Sequence, residues 1–351
     1  MKVGPIPKGP LEWLLLRLRV APQPLIDTQL AYTLARVVMV GVRLGIFDAL
    51  ASGPATAAVV ADRCGTHPVA TGKLLFALAG SGYVQSDGTR YSLSALSRKW
   101  LLSDRKSSLV DKLLLQFLEW DWLERSEDYV RTGEPMELHE VLSPGGWDAY
   151  QRGMRALAVP FSAEATRRMP IPSGACDLLD IGGSHGHYSS ALCRRHDGLR
   201  AVVLDLPEAV QQAAPLLAAE QMGDRVVHRA GNALTDDLGH QDWDFVLISQ
   251  VVHHFSEQQN RDLTRRVACA LRPGGVYAVM EAFRAPRPRD AGQLGALLDF
   301  NFALTSRSGT WTPAEIADWQ REANLRPRRT IHLRSVPGTG IQAAVKPSNL
   351  D

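Results

Sequence analysis

The sequence predicts an α/β protein in two parts: a mainly α front portion, then a domain whose strands and helices alternate around a parallel sheet. Three observations carry that expectation. Residues 178–186 read L-L-D-I-G-G-S-H-G, an apolar run ending in a small-residue turn and continuing into a helix-like stretch, His187–Arg195. A second apolar run, 201–204, ends on Asp205. Further apolar runs then alternate with segments of helical period as far as residue 345, the pattern of a sheet covered on both faces.

The elements follow in order. Residues 1–30 read as an N-terminal extension with one helix, 11–18, ended near Pro22 and Pro24. From Leu30 to Leu50, apolar residues recur at helical spacing: Leu34, Val37, Val38, Val42, Leu44, Ile46 and Phe47. Residues 55–64 give a short helix closed by Gly65, and 68–80 another. Tyr83-Val84 and 90–93, separated by Ser86-Asp87-Gly88, read as a hairpin. Three helices and a hairpin are the winged-helix order, over residues 31–110. Residues 111–170 read as helical connectors, with helices over 109–129 and 147–169. P-I-P-S-G at 170–174 leads into the last domain, 171–351. Its strands are expected at 177–181, 201–204, 226–229, 245–249 and 276–280. Helices are expected at 187–195, 207–221, 257–271, 291–304 and 313–323, with Thr312 as N-cap of the last. Two final strands, 328–333 and 340–345, complete the pattern.

Composition narrows the function. The chain has 351 residues, enough for two cores, and a net charge of +2 with its basic residues scattered. A winged helix that reads DNA needs basic or amide side chains on its third helix. Residues 68–80 offer Lys73 amid Val69, Leu74, Leu75, Phe76 and Leu78, so the helix reads as an interaction module, with no nucleic-acid partner expected. Such apolar helices predict a homodimer through the front domain. Cys64, Cys176, Cys193 and Cys269 lie far apart with no C-x-x-C, which suits a reducing compartment. The apolar run 14–18 is too short and too charged for a signal peptide or a span, so a cytoplasmic protein without a membrane partner is expected.

The turn at 182–186 and Asp205 define a candidate ligand site. Glycines let backbone approach a ligand closely, and an acid at the tip of the second strand is placed to bind ribose hydroxyls. A nicotinamide dinucleotide calls for G-x-G-x-x-G to admit a pyrophosphate. G-G-S-H-G lacks that spacing and has no Lys or Arg to meet phosphate. The reading favours a phosphate-free nucleoside, S-adenosylmethionine (SAM). Further on, strand 245–249 runs into Q-V-V-H-H-F, placing His253 at a strand tip where an imidazole can take a proton near neutral pH.

With these pieces in place, the chain resembles the small-molecule O-methyltransferases related to the caffeate and hydroxyindole enzymes, over about residues 30–345. The resemblance rests on L-G-I-F-D-A-L at 44–50, G-P-A-T at 53–56, Leu74-Leu75…Leu78…Gly82-Tyr83-Val84, and D-I-G-G-x-x-G at 180–186. L-D-L-P at 204–207, aliphatic-His-x-aromatic at 252–255 and L-R-P-G-G at 271–275 extend it. It implies a winged-helix dimerisation domain followed by a Rossmann-like SAM-binding domain. The cofactor residues it implies are Asp180, Gly182 and Gly183 near the methionine part, Asp205 and Leu206 at the ribose, and Asn232 and Ala233 at the adenine. Ser249 stands where plant relatives have Lys, and Phe255 where they have a Trp beside the cofactor. His253 matches the family's base and Glu281 the acid that orients it; His254 stands at the family's usual Asp. Tyr150 and Met154 resemble an acceptor-packing pair, with Phe302 on the same wall. The family's second acid, in G-x-E-R-T, is missing from S-G-T-W-T at 308–312; Asp299 is a nearby acid for a related role.

These residues imply methyl transfer to a phenol or enol hydroxyl of a small molecule, with SAM as donor and S-adenosylhomocysteine as product. No metal is implied, since neither H-x-x-x-H nor an acidic cluster of divalent-ion spacing occurs. Transfer to S, N or C, a SAM binder with altered chemistry, and a DNA-binding regulator are the alternatives.

Overall fold

The computed structural model describes residues 4–348. They form two compact units, one up to Phe117 and the other from Leu118 onward. The division falls within the helix Val110–Leu123, past the expected boundary at 110.

The front unit begins with Pro10–Arg17, which buries none of its residues, and a helical run from Gln23 that includes a π-helical turn, Ile26–Leu30, and continues as Ala31–Arg43. Gln23–Arg43 is the one stretch among the described residues long and apolar enough to cross a membrane. Arg36 and Arg43 lie over the Phe117 ring at 4.9 and 4.4 Å, and cations on a bilayer-spanning segment are costly. Helices Ala57–Cys64 and Pro68–Gly80 and the hairpin β1 (Val84–Ser86) and β2 (Tyr91–Leu93) follow in the expected order. Thr56 caps the first through Oγ1, and Gly65, at φ +61°, ends it. The hairpin turn is fixed by Asp87, whose carboxylate accepts from the N–H groups of Thr89 and Arg90. Ile46, Phe47, Leu50, Leu75 and Leu78 are the centre of this core. Val69 and Phe76 remain exposed on the third helix, an apolar rather than a basic outer face.

The second unit contains an eight-stranded mixed sheet. Its strands are β3 (Asp177–Ile181), β4 (Arg200–Asp205), β5 (Val226–Ala230), β6 (Trp243–Ser249), β7 (Leu271–Ala282), β8 (Arg326–Pro327), β9 (Ile331–His332) and β10 (Thr339–Val345). The order is β5-β4-β3-β6-β7-β10-β8, with β9 also on β10. The first five are parallel and β10 is antiparallel to β7. Two apolar layers sandwich it, one around Ile181, Ile248, Val267 and Trp319, the other around Leu178, Leu192, Phe245 and Ile341.

Several expected elements are interrupted. Helix 147–169 is two, Pro144–Ala158 and Ser162–Arg168, because Pro160 has no N–H to continue the ladder. The first starts earlier than expected, since Ser143 caps it and Pro144 occupies N1. Helix 109–129 divides into Val110–Leu123 and Ser126–Thr132, and of the expected strand 328–333 only β9 forms, with β8 lying just before it. From β3 the chain winds outward through β4 and β5, then returns to place β6 and β7 on the other side. The strand order therefore reverses beside β3, and ligands of open α/β sheets bind in the crevice outside such a point.

Candidate active site at the carboxyl ends of the parallel strands

Every parallel strand ends near a sequence-predicted residue. Gly182 follows β3, Asp205 ends β4, Asn232 lies just past β5, Ser249 ends β6, and Glu281 lies near the end of β7. Gly182 donates its N–H to Leu204 O (2.7 Å), which ties the first turn to the neighbouring strand. Its φ is +66°, and a Cβ there would meet Val251 at 2.6 Å. A Cβ on Gly183 would meet the Asp180 carboxyl at 2.5 Å and Val203 at 2.8 Å. The glycines are therefore required by packing as well as by any ligand.

Asp205 binds the turn from β4. Its carboxylate accepts from Ser184 N–H and from its neighbour Leu206 N–H, both at 2.8 Å. Burial pushes it up to about 6, against the lowering effect of those two N–H groups. Asp180 lies beneath Gly183, fully buried, with one oxygen accepting from Ser189 (2.6 Å) and the other without a partner. Burial raises it to about 7. Asn232 accepts from Leu234 N–H through its side-chain oxygen (2.9 Å), leaving its amide nitrogen as the outward donor. Ala233 and Phe255, both partly buried, pack against the apolar layer around Ile248. The loop carries no net positive charge. Burial, followed by the charges of His187 and Arg155, drives His185 down to about 3, and His185 Nδ1 accepts from His187 N–H (3.1 Å).

His253 sits in a 3₁₀ turn, Val252–His254, after β6. Val252 O receives Asn260 Nδ2 (2.9 Å) and Trp311 Nε1 (3.0 Å), which pin that turn from a helix on one side and a loop on the other. His253 Nδ1 lies 3.0 Å from Glu281 Oε1, and both side chains are buried. The carboxylate places the proton on Nδ1 and leaves the lone pair on Nε2. Ala282 N–H also donates to Glu281 Oε1 (3.0 Å). Oriented by its hydrogen bonds, the Gln250 amide donates to the same oxygen (2.8 Å). Phe302 stacks on His253, ring centroids 3.9 Å apart and planes 15° apart. A phenyl face stabilises an imidazolium by about 0.5–2 kcal/mol.

Asp299 does not touch His253. It accepts from Thr310 N–H (2.8 Å) and from the Thr310 hydroxyl, so it fixes the loop in which the family's second acid was expected. Tyr150 and Met154 lie on Pro144–Ala158, one turn apart. Tyr150 meets Trp147 and His139 edge to face, while burial, then the charges of Asp205 and Glu119, hold its phenol protonated.

Sequence reading missed three groups. Gln151, buried, accepts from Ser184 Oγ, so the helix carrying Tyr150 reaches the glycine turn. His228 Nε2 pairs with Ser184 O (2.8 Å) from β5. Glu220 receives Arg155 (2.8 Å), His187 (2.9 Å) and Arg194 (2.9 Å), joining three helical segments behind that turn. None has a local signal, because each partner is distant in sequence.

Two domain families match the chain: an O-methyltransferase dimerisation domain over residues 26–103 and an O-methyltransferase domain over residues 149–323. A 3-hydroxy-5-methyl-1-naphthoate 3-O-methyltransferase of Streptomyces sahachiroi is 30% identical over 321 residues, covering 87% of this chain and 90% of its own length. The chain belongs to the SAM-dependent O-methyltransferase family. The methyltransferase is also similar to an N,N-dimethyltransferase of Streptomyces rimosus, 28% identical over 92% of this chain and 96% of that one. Among solved structures, human N-acetylserotonin methyltransferase in complex with SAM shares the fold with a TM-score of 0.82. It is 19% identical and covers 98% of this methyltransferase and 100% of its own chain.

Proposed function

We propose that the enzyme transfers a methyl group from SAM to a phenolic or enolic hydroxyl of a small specialised-metabolite acceptor, with His253 as general base and Glu281 orienting it. The observation that carries this reading is the buried His253 Nδ1–Glu281 Oε1 contact at the crevice where the sheet order reverses. The turn fits SAM on its own terms. Asp205 retains acceptor capacity beyond its two backbone bonds, one Asp180 oxygen is without a partner, and His185 is uncharged, so the lining suits ribose hydroxyls and a cation rather than phosphate. Gly182, Gly183, Asp205 and Leu206 would hold the donor, with Asn232, Ala233 and Ser249 around the base. Bound there, SAM supplies an electrophilic methyl on a sulfonium. Asp180 acts from below by fixing Gly183 and Ser189.

His253 removes the acceptor proton through Nε2, Glu281 holds the ring and offsets its new charge, and Phe302 covers one ring face. General-base help of this kind is worth about 10²–10⁴-fold. Holding both reactants in line supplies up to about 7–11 kcal/mol more. Similarity to an O-methyltransferase supports oxygen as the acceptor atom; similarity to an N,N-dimethyltransferase makes nitrogen the second reading. The exposed apolar residues Leu30, Tyr32 and Leu34 in the matched dimerisation region support a homodimer, checked by the mass from light scattering.

The test is transfer of a labelled methyl group from SAM to a phenol panel. His253→Ala should keep SAM affinity while turnover falls by at least about a hundredfold. Near-normal turnover removes His253 from the role of base.

A further inference from the structure

Beside the His253–Glu281 pair lies a second set of rings. His254 contacts His253 at a centroid distance of 4.2 Å and His139 at 4.4 Å. His139, from the short helix Leu138–Val141, stacks on Trp147 (5.3 Å, 13°) and meets Tyr150 edge to face (5.6 Å). Neither imidazole has a side-chain hydrogen-bond partner among the described residues, and both are partly open. A half-buried imidazole nitrogen without a protein partner is left to pair with solvent or with a ligand. Two side by side, at the wall where the acceptor is expected, point to a ligand that pairs them.

Three chemistries are available to such a pair. A metal site is one, but no group of three His, Cys, Asp or Glu with metal-holding geometry occurs among the described residues. An anion site is another, but both rings are uncharged near neutral pH. Burial and then the charge of His253 lower His139 to about 4, while burial and the two neighbouring imidazoles take His254 well down. What remains is a neutral pair, each ring offering one N–H donor and one nitrogen acceptor. Such rings read hydroxyl or carbonyl oxygens rather than charge. His254 touches the base itself, so the oxygen it reads lies next to the one being methylated. Trp147 and Tyr150 pack on His139, and Phe302 stacks on the neighbouring His253, so aromatic rings flank the pair in a wall that suits an aromatic plane.

We propose that His139 and His254 select planar aromatic acceptors carrying a second hydroxyl or carbonyl oxygen adjacent, ortho or peri, to the hydroxyl that is methylated. The proposal rests on the methyl-transfer reading of the same site and names its acceptor class.

The experiment is calorimetric binding of 2,3-dihydroxynaphthalene and 2-naphthol to the whole enzyme with S-adenosylhomocysteine present. The diol should bind at least about tenfold more tightly, the worth of one well-made hydrogen bond. His254→Phe and His139→Phe should each shrink that preference below about threefold while leaving the naphthol and S-adenosylhomocysteine affinities in place, and His139→Gln, which keeps a donor and an acceptor, should restore part of it. Equal affinities in the wild-type enzyme, no binding of either compound, or a preference that survives both Phe substitutions overturns the proposal. The wild-type comparison needs no variant, so it decides the matter even where a variant misfolds. Methyl transfer to the two compounds is scored separately: transfer without discrimination overturns this proposal and leaves the methyl-transfer reading standing, whereas discrimination without transfer sinks the reading on which it rests.

Discussion

Glu281→Gln isolates the charge behind the base from its shape. Glu281 is fully buried, and Oε1 accepts from His253 Nδ1 (3.0 Å), Ala282 N–H (3.0 Å) and the Gln250 amide (2.8 Å). A glutamine oxygen in the same place can accept from His253 and Ala282, so the ring keeps its orientation. What disappears is the negative charge opposite the imidazolium that forms when His253 takes the acceptor proton. A hydrogen bond to a charged partner is worth about 1.5–3 kcal/mol against about 0.5–1.5 for a neutral one, which sets a loss of at least about 1–2 kcal/mol. Coulomb attraction at a protein-like effective dielectric caps it near 4 kcal/mol. Between these limits kcat falls about 10- to 1,000-fold, with KM and S-adenosylhomocysteine affinity unchanged. The assay is initial-rate methyl transfer to a phenol and to its nitro-substituted analogue. The nitro compound is already ionised at the assay pH and needs no base, so its rate should fall by less than about threefold. An equal loss on both phenols, or a loss below about twofold on the ordinary one, refutes the assignment of Glu281 to the base.

Three further outcomes are expected. Ribose binding needs ionised Asp205, so S-adenosylhomocysteine affinity, measured by calorimetry, should weaken as pH falls through about 6. Stability of the ligand-free enzyme runs the other way at this residue: an acid raised by burial favours the folded state when protonated, so its contribution declines as pH rises from about 4 to about 6. Asp205→Asn should remove the pH dependence of binding and cost about tenfold or more at pH 8. Gly182→Ala forces a left-handed residue to carry a Cβ 2.6 Å from Val251, beside the turn that bears His253. It should lower the melting temperature, at about 1–2 kcal/mol for the backbone alone, and weaken S-adenosylhomocysteine binding. Glu220 is the third. Burial raises its acid, but hydrogen bonds from His187, Arg155 and Arg194 outweigh that and hold it well below the carboxylate range. Its stabilisation is therefore present above about pH 4 and is lost at lower pH. Arg155 and Arg194 keep a third to a half of their side chains in water, so Glu220→Gln should cost about 1–3 kcal/mol by denaturant unfolding at pH 7, less than a fully buried pair. Unfolding curves that coincide at pH 7 would remove Glu220 as a brace.

What the sequence determined by itself was everything written locally. A parallel strand buried on both faces is an apolar run, a turn at φ +66° selects glycine, and an acid or imidazole after such a run lands at a strand tip; hence β3 to β7, Gly182, Asp205, His253 and Glu281 were legible. Helix ends were legible where a cap marks them, as at Gly65 and Thr312, and blurred where one periodic stretch held a proline, as at Pro160. Tertiary structure alone decided which distant groups meet. It gave Asp299 to Thr310 rather than to His253 and set Phe302 against the base. It also assembled Gln151 with Ser184, Glu220 with Arg155, His187 and Arg194, and His139 with His254. The partners that meet in these last groups lie at least 26 positions apart along the chain, and no periodicity or short motif encodes their meeting. They exist because the sheet's winding brings unrelated loops to one edge, where polar groups removed from water must find partners in each other or in a ligand.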